Sequence, residues 1–374
     1  MVDLQSPASS LQPRSSVPRR ILIIRLDRMG DVILSTPVLQ QLRAAYPEAF
    51  IAMLVSPACR ELVEGNPHLN DVLLYDKTGE QRGLWSTIRF ARRVRRLDFD
   101  TALILHPTRR SHWIARLAGI PRRLGYARKS GWLLTHRLPH RKQEGSRHEA
   151  EYALELLRLV GLEPAAPQSF VPVSSRAARR IDTLFHESHV ENSASLIAIH
   201  PSASCVSKRW MPERFAQVAD RLIEAELGRI VIVAGPEDVP HAQAMARAMR
   251  HAPLNVAGAL SVGELAALLA RCRLLISNDS GPVHVAAALG TPVVDLFGRN
   301  QRGLSPRRWG PLGTGHVVLH KEVGCVTCLA HACDIGFLCL TALSVEEVFQ
   351  AAVSILQKHQ QISDTRHATR DKDV

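Results

Sequence analysis

The sequence has no run of about 18 apolar residues, although 46% of its 374 residues are hydrophobic. A helix needs a run of about this length to cross a bilayer, so we expect no membrane-spanning segment. Residues 1–19 also lack the apolar centre of a secretory signal, and we expect a disordered lead-in there. Their Ser and Arg content would suit a transit peptide, but they form no amphipathic pattern. We therefore expect the protein in the cytoplasm.

Cysteine is scarce and unevenly placed. The seven cysteines are an odd number in a chain without a secretory signal, which argues against a secreted disulfide scaffold. Three are isolated, and four lie in CVTCLAHACDIGFLC (325–339) with the spacing C-x2-C-x4-C-x5-C. Thiols at this spacing could hold a structural zinc ion, with buried reduced thiols as the alternative. The spacing leaves both open for Cys325, Cys328, Cys333 and Cys339, and we predict no metal site.

Acidic residues are few in the first half of the chain. The net charge is +12, and residues 1–160 hold 26 Lys and Arg against 15 Asp and Glu, which leaves the remainder nearly neutral. The segment 108–148 has 11 basic residues, one acid, Glu144, and two tryptophans, Trp113 and Trp132. Such clustering indicates an anionic partner: a membrane surface, a phosphorylated substrate or nucleic acid. A basic surface without a ligand is the alternative.

What the sequence does have is a repeated alternation of apolar strands and amphipathic helices. Strand-like runs lie at 21–26, 50–55, 71–75 and 101–105, and again at 195–200, 229–235, 253–258, 273–279 and 292–298. This pattern predicts parallel sheets covered by helices on both faces. A long helix is predicted at 144–162. The domains expected are a lead-in (1–19), an N-terminal Rossmann-like domain (20–162), a Pro- and Ser-rich linker (163–175), a C-terminal Rossmann-like domain (176–357) and a disordered tail (358–374).

The first strand-to-helix turn lacks the glycines of a phosphate-binding loop. In RILIIRLDRMGDVILSTP (20–37) only Gly30 is present, and Asp31 follows it. By local rules Asp31 could cap the helix. In a two-domain protein it could instead face the cleft as a base.

Loops suited to phosphate lie in the second half. HPSASCVSKRWMPERF (200–215) offers Ser202, Ser204 and Lys208 just after a strand, where hydroxyls and a point charge can hold phosphate oxygens. A polar loop without a ligand is the alternative. AGPEDVPHA (234–242) places Glu237 where a carboxylate could bridge a nucleotide ribose.

The turn in SNDSGPVHVAAALGTPVVDLFG (277–298) is the sharpest motif. Ser280 and Gly281 precede a helix whose free N–H groups and dipole would form an anion site. Asp279 could cap this helix or orient a sugar hydroxyl, and His284 could line the site or pack in the core.

In this order, and with a later RRWGP, these motifs resemble glycosyltransferase family 9, the ADP-heptose:lipopolysaccharide heptosyltransferases and their relatives. The resemblance covers about residues 20–345. It implies a GT-B architecture, two Rossmann-like domains facing a central cleft, and inverting transfer of a sugar from a nucleotide-sugar donor, typically ADP-heptose, to a lipopolysaccharide-core glycolipid. No cofactor or metal is implied.

The resemblance also implies roles for individual residues. Asp31 matches the general base, and Lys208 matches the lysine that meets the donor phosphates and sugar. The other donor-binding positions are Ser202, Ser204, Glu237, Asp279, Ser280, Gly281 and His284. On the acceptor side we predict Arg109 and Arg110, next to an anionic glycolipid at the inner leaflet, with peripheral membrane association and no nucleic acid.

Familiar members carry small hydroxyl residues where this chain has Asp27-Arg28-Met29, which indicates another branch of the family. An epimerase or hydrolase on the same fold is the alternative within enzymes, and a non-catalytic glycolipid- or nucleotide-binding protein is the alternative outside them.

Overall fold

The computed structural model describes residues 17–191, 195–325 and 327–370, with side chains through Lys358. These residues form two successive α/β units of the same design. The predicted lead-in lies outside the described residues up to position 16.

The N-terminal unit carries a six-stranded sheet whose first four strands coincide with the predicted apolar runs. Two more strands, of six and four residues, follow that sequence patterning misses, because their Arg and His residues interrupt the apolar pattern. Its strands are β1 (Arg20–Ile24), β2 (Phe50–Val55), β3 (Asp71–Leu74), β4 (Thr101–Ile104), β5 (Arg122–Ala127) and β6 (His136–Pro139). Its helices are α1 (Met29–Ile33), α2 (Thr36–Ala45), α3 (Leu84–Arg95), α4 (Arg109–Leu117) and α5 (Glu149–Glu155).

The C-terminal unit repeats the pattern, and only its half-buried edge strand β12 is absent from the sequence expectations. Its strands are β7 (Leu196–His200), β8 (Arg229–Ile232), β9 (Leu254–Asn255), β10 (Leu274–Asn278), β11 (Val293–Phe297) and β12 (Val317–His320). Its helices are α6 (Ser175–Glu187), α7 (Pro212–Glu224), α8 (Val239–Ala248), α9 (Val262–Leu269), α10 (Gly281–Ala288), α11 (Pro306–Trp309), α12 (Leu338–Thr341) and α13 (Val345–Arg370).

Both sheets have the strand order of a doubly wound fold. The orders are β3-β2-β1-β4-β5-β6 and β12-β11-β10-β7-β8-β9, and every described pair of strands is parallel. Strand order reverses between β1 and β4 in one sheet and between β7 and β10 in the other. Ligands bind beyond the carboxyl ends of strands at such switch points, so each unit offers one binding crevice.

The two units touch at α1, which follows the first strand of the N-terminal sheet, and at α10, which follows β10 in the C-terminal sheet. A Cβ added to Gly30 would lie 2.5 Å from His284 Cδ2, and one added to Gly281 would lie 2.9 Å from Met29 Sδ. Each helix therefore presents a glycine to a large side chain of the other. The lone glycine of the first turn serves close packing between the units.

The segment between the units and the end of the chain complete the fold. Residues 162–174 form no helix or strand, in the region of the predicted linker. The predicted long helix at 144–162 begins only at Glu149, because His148 and Glu151 form a capping box there, and a 3₁₀ turn follows at Leu156–Val160. The helix α13 continues past position 358, where a disordered tail is predicted. The exact domain limits stay predictions. No described helix has the length and hydropathy needed to cross a bilayer.

Candidate active site

The switch points of the two sheets open into one large cavity of about 1150 Å³. Loops after β1 and β4 line it from the N-terminal unit, and loops after β7, β8, β10 and β11 line it from the C-terminal unit. Eight of the eleven residues selected from the sequence line this cavity: Asp31, Ser204, Lys208, Glu237, Asp279, Ser280, Gly281 and His284. Motifs far apart in the chain therefore meet at one place.

Asp31 is the third residue of α1, and its carboxylate forms an ion pair with Nη2 of Arg25. The residue before the helix is Arg28, and no side chain caps it. Helix capping therefore does not explain this acid. Its side chain is 18% exposed and faces the cavity, whereas Arg25 is 2% exposed. Burial by itself would lower the pKa of Arg25, but the carboxylates around it raise that pKa, so the guanidinium stays charged.

Glu149 is the centre of a buried ion cluster beside Asp31. Its Oε1 accepts hydrogen bonds from Lys142 Nζ at 2.7 Å and from Arg25 Nη2 at 3.3 Å, and its Oε2 accepts from Arg308 Nη2 at 2.7 Å. Burial by itself would raise the pKa of Glu149, but these three cations hold it well below its ordinary value. Because Arg308 comes from the C-terminal unit, the cluster also joins the two units.

Asp27 is a second carboxylate on Arg25. Its Oδ1 accepts from Arg25 Nε at 2.7 Å, and its Oδ2 lies 3.3 Å from His106 Nδ1. Burial raises the pKa of Asp27 to about 7, against the lowering effect of Arg25. Burial also lowers the pKa of His106 to about 4, so this imidazole is neutral at pH 7. The cavity thus contains a carboxyl group that titrates near neutrality.

Lys208 faces Asp31 from the other unit and is held by Asp279. Its Nζ lies 2.7 Å from Asp279 Oδ2, and Arg299 Nη2 lies 3.3 Å from the same oxygen. The residue before α10 is Ser280, so the carboxylate of Asp279 does not cap that helix. Two cations therefore converge on the place where the helix begins.

The start of α10 provides further positive potential. The first backbone N–H groups of a helix have no acceptor within it, and the Ser280 hydroxyl does not cap them. That hydroxyl instead lies 2.9 Å from Ser277 Oγ and 3.1 Å from His200 Nδ1. Burial lowers the pKa of His284 to about 4, so a neutral imidazole lines this part of the cavity.

The remaining predicted donor-binding residues differ in their position relative to the cavity. Ser204 lines the cavity, and its Oγ accepts from Arg28 Nη1 at 3.0 Å across the gap between the units. Glu237 is exposed at the rim after β8. Ser202 is fully buried, donates to Asp238 and does not line the cavity.

The predicted acceptor residues Arg109 and Arg110 lie outside the cavity at the start of α4. Arg110 donates to the carbonyl oxygens of Lys77 and Arg82, at 3.1 Å each. The cations of the basic segment that do line the cavity are Arg128 and Lys142.

The four clustered cysteines line a second cavity of about 220 Å³, together with Ser207 and Arg299. All four thiols are free. In the described parts of the chain, no three His, Cys, Asp or Glu side chains are placed to hold one metal ion. The Cys segment contacts the loop that carries Lys208, because Ser207 Oγ lies 3.1 Å from His331 Nδ1.

Sequence reasoning missed several ionisable residues that line the cavity or lie next to its lining, among them Asp295, which interacts electrostatically with Asp279 and Lys208. Arg25 and Asp295 both lie at buried positions within apolar runs, ILIIRL and PVVDLFG. Burial raises the pKa of Asp295 well above its ordinary value, and its carboxyl oxygens have no partner among the described residues. A charged residue inside an apolar strand was therefore a usable signal. Glu149 and Arg308 gave no such signal, because each lies in an ordinary helix start.

Comparisons with known proteins agree with this arrangement. The profile of glycosyltransferase family 9 (heptosyltransferase) matches residues 87–337. The chain is 26% identical over 302 residues to lipopolysaccharide heptosyltransferase 2 of Escherichia coli, covering 77% of this chain and 85% of the relative.

Solved structures share the fold. A family 9 glycosyltransferase from Veillonella parvula superposes with a TM-score of 0.80 at 26% identity, over 91% of this chain and 98% of that one. The E. coli ADP-heptose LPS heptosyltransferase II gives a TM-score of 0.74 at 23% identity, over 91% and 99%. The profile match spans more than half of the sequence, and two facing doubly wound units enclose the cavity. The chain therefore belongs to glycosyltransferase family 9 and is a glycosyltransferase of GT-B architecture.

Proposed function

We propose that the protein transfers a heptose, with inversion, from ADP-heptose to a lipopolysaccharide-core glycolipid, and that Asp31 is the general base. The names of two similar proteins, a lipopolysaccharide heptosyltransferase and an ADP-heptose LPS heptosyltransferase, support these substrate classes. The observation that carries the proposal is that Asp31 and the start of α10 line one cavity from opposite units.

The acceptor hydroxyl attacks the anomeric carbon of the donor sugar. A new C–O bond forms on one face of that carbon, and the bond to the phosphate oxygen breaks on the other, so the configuration inverts. Asp31 takes the hydroxyl proton, and ADP leaves with the electron pair. The pairing of Asp31 with Arg25 fixes the position of the carboxylate before the reaction. No second carboxylate need flank the bond, as a glycosidase would require.

The departing diphosphate needs positive potential that is already in place. Lys208 and the first N–H groups of α10 supply it in this proposal, and Arg28 can add a charge from the other unit. Asp279, now paired with Lys208, can turn its second oxygen to sugar hydroxyls. Glu237, at the rim, suits the ribose hydroxyls of the nucleotide.

The acceptor enters from the N-terminal side in this proposal. Arg128 lines that part of the cavity and suits the anionic groups of a core glycolipid, whereas the ammonium group of Lys142 is already paired with Glu149. Arg109 and Arg110, outside the cavity, would contact the acceptor only beyond its mouth. A lipid-linked acceptor also requires the protein to work at a membrane surface.

The test is a screen of ADP-, UDP- and GDP-sugars against truncated core glycolipids, read by mass spectrometry. We expect a heptose added from ADP-heptose alone. In Asp31→Asn, kcat should fall by about 10²–10⁴-fold while the affinity for ADP-heptose is unchanged.

A surface change, Asp182→Asn, should have no effect, since this acid pairs with Arg271 and does not line the cavity. Loss of donor affinity in Asp31→Asn would contradict its assignment as the base. Donor cleavage without any acceptor would point to a hydrolase.

A further inference from the structure

The outer face of the N-terminal unit carries three exposed tryptophans. Trp85 is 80% exposed, Trp132 is 68% exposed and Trp113 is 41% exposed. The two other tryptophans of the chain, Trp210 and Trp309, are buried or line the cavity. Exposed tryptophan is therefore confined to the N-terminal unit.

These three tryptophans lie on adjacent elements. Trp85 is on α3, Trp113 is on α4 and Trp132 is in the 3₁₀ turn Gly131–Leu133. The helix α4 packs between α3 and this turn, and the rings of Trp113 and Trp132 meet edge to face with centroids 6.0 Å apart. These three tryptophans and Leu84, which is 71% exposed, lie on neighbouring elements, and the exposed surface that they share is here called the α3–α4 face.

The exposed sides of α3 and α4 carry arginines as well as these tryptophan rings, and each exposed row of side chains is here called a stripe. On α3, Trp85, Arg89, Arg92 and Arg96 recur at helical spacing, and all are exposed. On α4, Arg109, Trp113 and Arg116 repeat the arrangement. Side chains three and four residues apart point the same way on a helix, so each stripe mixes a ring with cations.

No acids offset these cations. The sequence has no Asp or Glu at 81–97 or at 101–143. None of the five arginines on the two stripes forms a salt bridge with any described residue. The face therefore presents unpaired positive charge around apolar rings.

We propose that the α3–α4 face docks on an anionic phospholipid bilayer. Tryptophan prefers the interface between lipid and water, because its ring is apolar and its N–H is polar. Arginines near an anionic surface add electrostatic attraction. An amphipathic surface of this kind lies on a membrane and does not cross it.

The position of the face relative to the cavity fits this partner. His106 and Pro107 line the cavity and lead directly into α4, and Arg128 lines it four residues before Trp132. A bilayer against this face would hold a lipid-linked acceptor beside the mouth of the cavity. The proposal extends the proposed function, but docking is measured without donor or acceptor, so each can fail separately.

The test is sedimentation of the full chain with vesicles of phosphatidylcholine, with and without phosphatidylglycerol, at low and high salt. We expect binding to the anionic vesicles only, weakened by salt. The double change Arg92→Glu and Arg96→Glu should reduce binding by about tenfold or more, and Trp85→Ser should reduce it at both salt concentrations.

The control is the double change Arg176→Glu and Arg179→Glu on α6, which alters the net charge equally on another exposed surface and should leave binding intact. Equal loss in both double variants would overturn the proposal, because it would show a response to net charge alone. Failure to bind anionic vesicles would also overturn the proposal. So would loss of vesicle binding when a single-stranded oligonucleotide is added at the same total negative charge as the lipid. Transfer to a water-soluble acceptor fragment then reports separately on the enzyme.

Discussion

The two units that form the cavity have the same strand topology, but their charged side chains in the cavity are paired in different ways. In the N-terminal half, Arg25 and Glu149 tie Asp27, Asp31 and Lys142 into a closed cluster. In the C-terminal half, one carboxylate, Asp279, meets two cations, and the helix start beside them has no capping side chain.

This difference matches two kinds of chemistry. A base must keep one charge state and one position before the substrate arrives, so its surroundings can be satisfied internally. An anion-binding site must keep donors unsatisfied until its ligand supplies the acceptors. Each half also sends one arginine into the other, Arg308 to Glu149 and Arg28 to Ser204. Two arginine side chains therefore connect the two halves of the cavity.

The largest effect should come from breaking the closed cluster. Glu149→Gln removes the buried carboxylate that Arg25, Lys142 and Arg308 share, and we expect the free energy of unfolding to fall by about 3–5 kcal/mol in urea denaturation at pH 7. The pKa of Glu149 is held below its ordinary value of 4.5, so its contribution is present above that pH. The difference from wild type should narrow as the pH falls below 4.5.

Glu163→Gln is the matched control for this change. Glu163 pairs with Arg158 on the surface at 3.3 Å and is 85% exposed, so its loss should cost about 0–1 kcal/mol. Equal losses in the two variants would mean that the cluster is not the stabilising feature that its burial indicates.

A smaller effect should come from the C-terminal half of the cavity, where the start of α10 has no capping side chain. Lys208→Ala should weaken ADP binding by about 10- to 100-fold in calorimetry, since a hydrogen bond to a charged group is worth about 1.5–3 kcal/mol. Lys321→Ala removes a lysine that pairs with Glu347 away from the cavity, and it should bind ADP normally. An unchanged ADP affinity in Lys208→Ala would remove the basis for calling this half a phosphate site.

The smallest effect concerns Asp27, the group of the closed cluster that titrates near neutrality. Burial raises its pKa to about 7, so it is protonated below that pH and ionised above it. When it is protonated, Arg25 acts more fully on Asp31 and weakens it as a base. Wild-type kcat/KM should therefore rise by a few-fold through pH 7, about as much as one hydrogen bond contributes.

Asp27→Asn mimics the protonated form of Asp27. In this variant the inflection near pH 7 should be absent, and kcat/KM should stay at the lower value that wild type has below pH 7. Asp182→Asn should keep the inflection. If Asp27→Asn also keeps it, another group titrates there, and the closed cluster is not tuned by Asp27.

Much of the site could be predicted because its motifs follow strands. Lys208 follows β7, Asp279 follows β10 and Asp31 follows β1, and parallel strands bring such positions to one sheet edge. Arg109 and Arg110 were selected from charge density alone, and they lie outside the cavity. Ser202 was selected as a hydroxyl near a lysine, but its side chain is buried against Asp238. Charge density in the sequence predicts only a charged region, whereas positions at the ends of parallel strands predict which residues meet in the cavity.

The sequence by itself determined two doubly wound sheets, because alternation of apolar strands and amphipathic helices is a local pattern. It also placed Gly30 and Asp31 at a turn, with the purpose of each left open. Only the tertiary structure decided that Gly30 packs against the ring of His284 and that Asp31 forms an ion pair with Arg25. It alone joined Glu149 to Arg25 and Arg308, which lie 124 and 159 residues away. Charges that far apart in sequence leave no periodic trace, because their pairing depends on which loops the two sheets bring together.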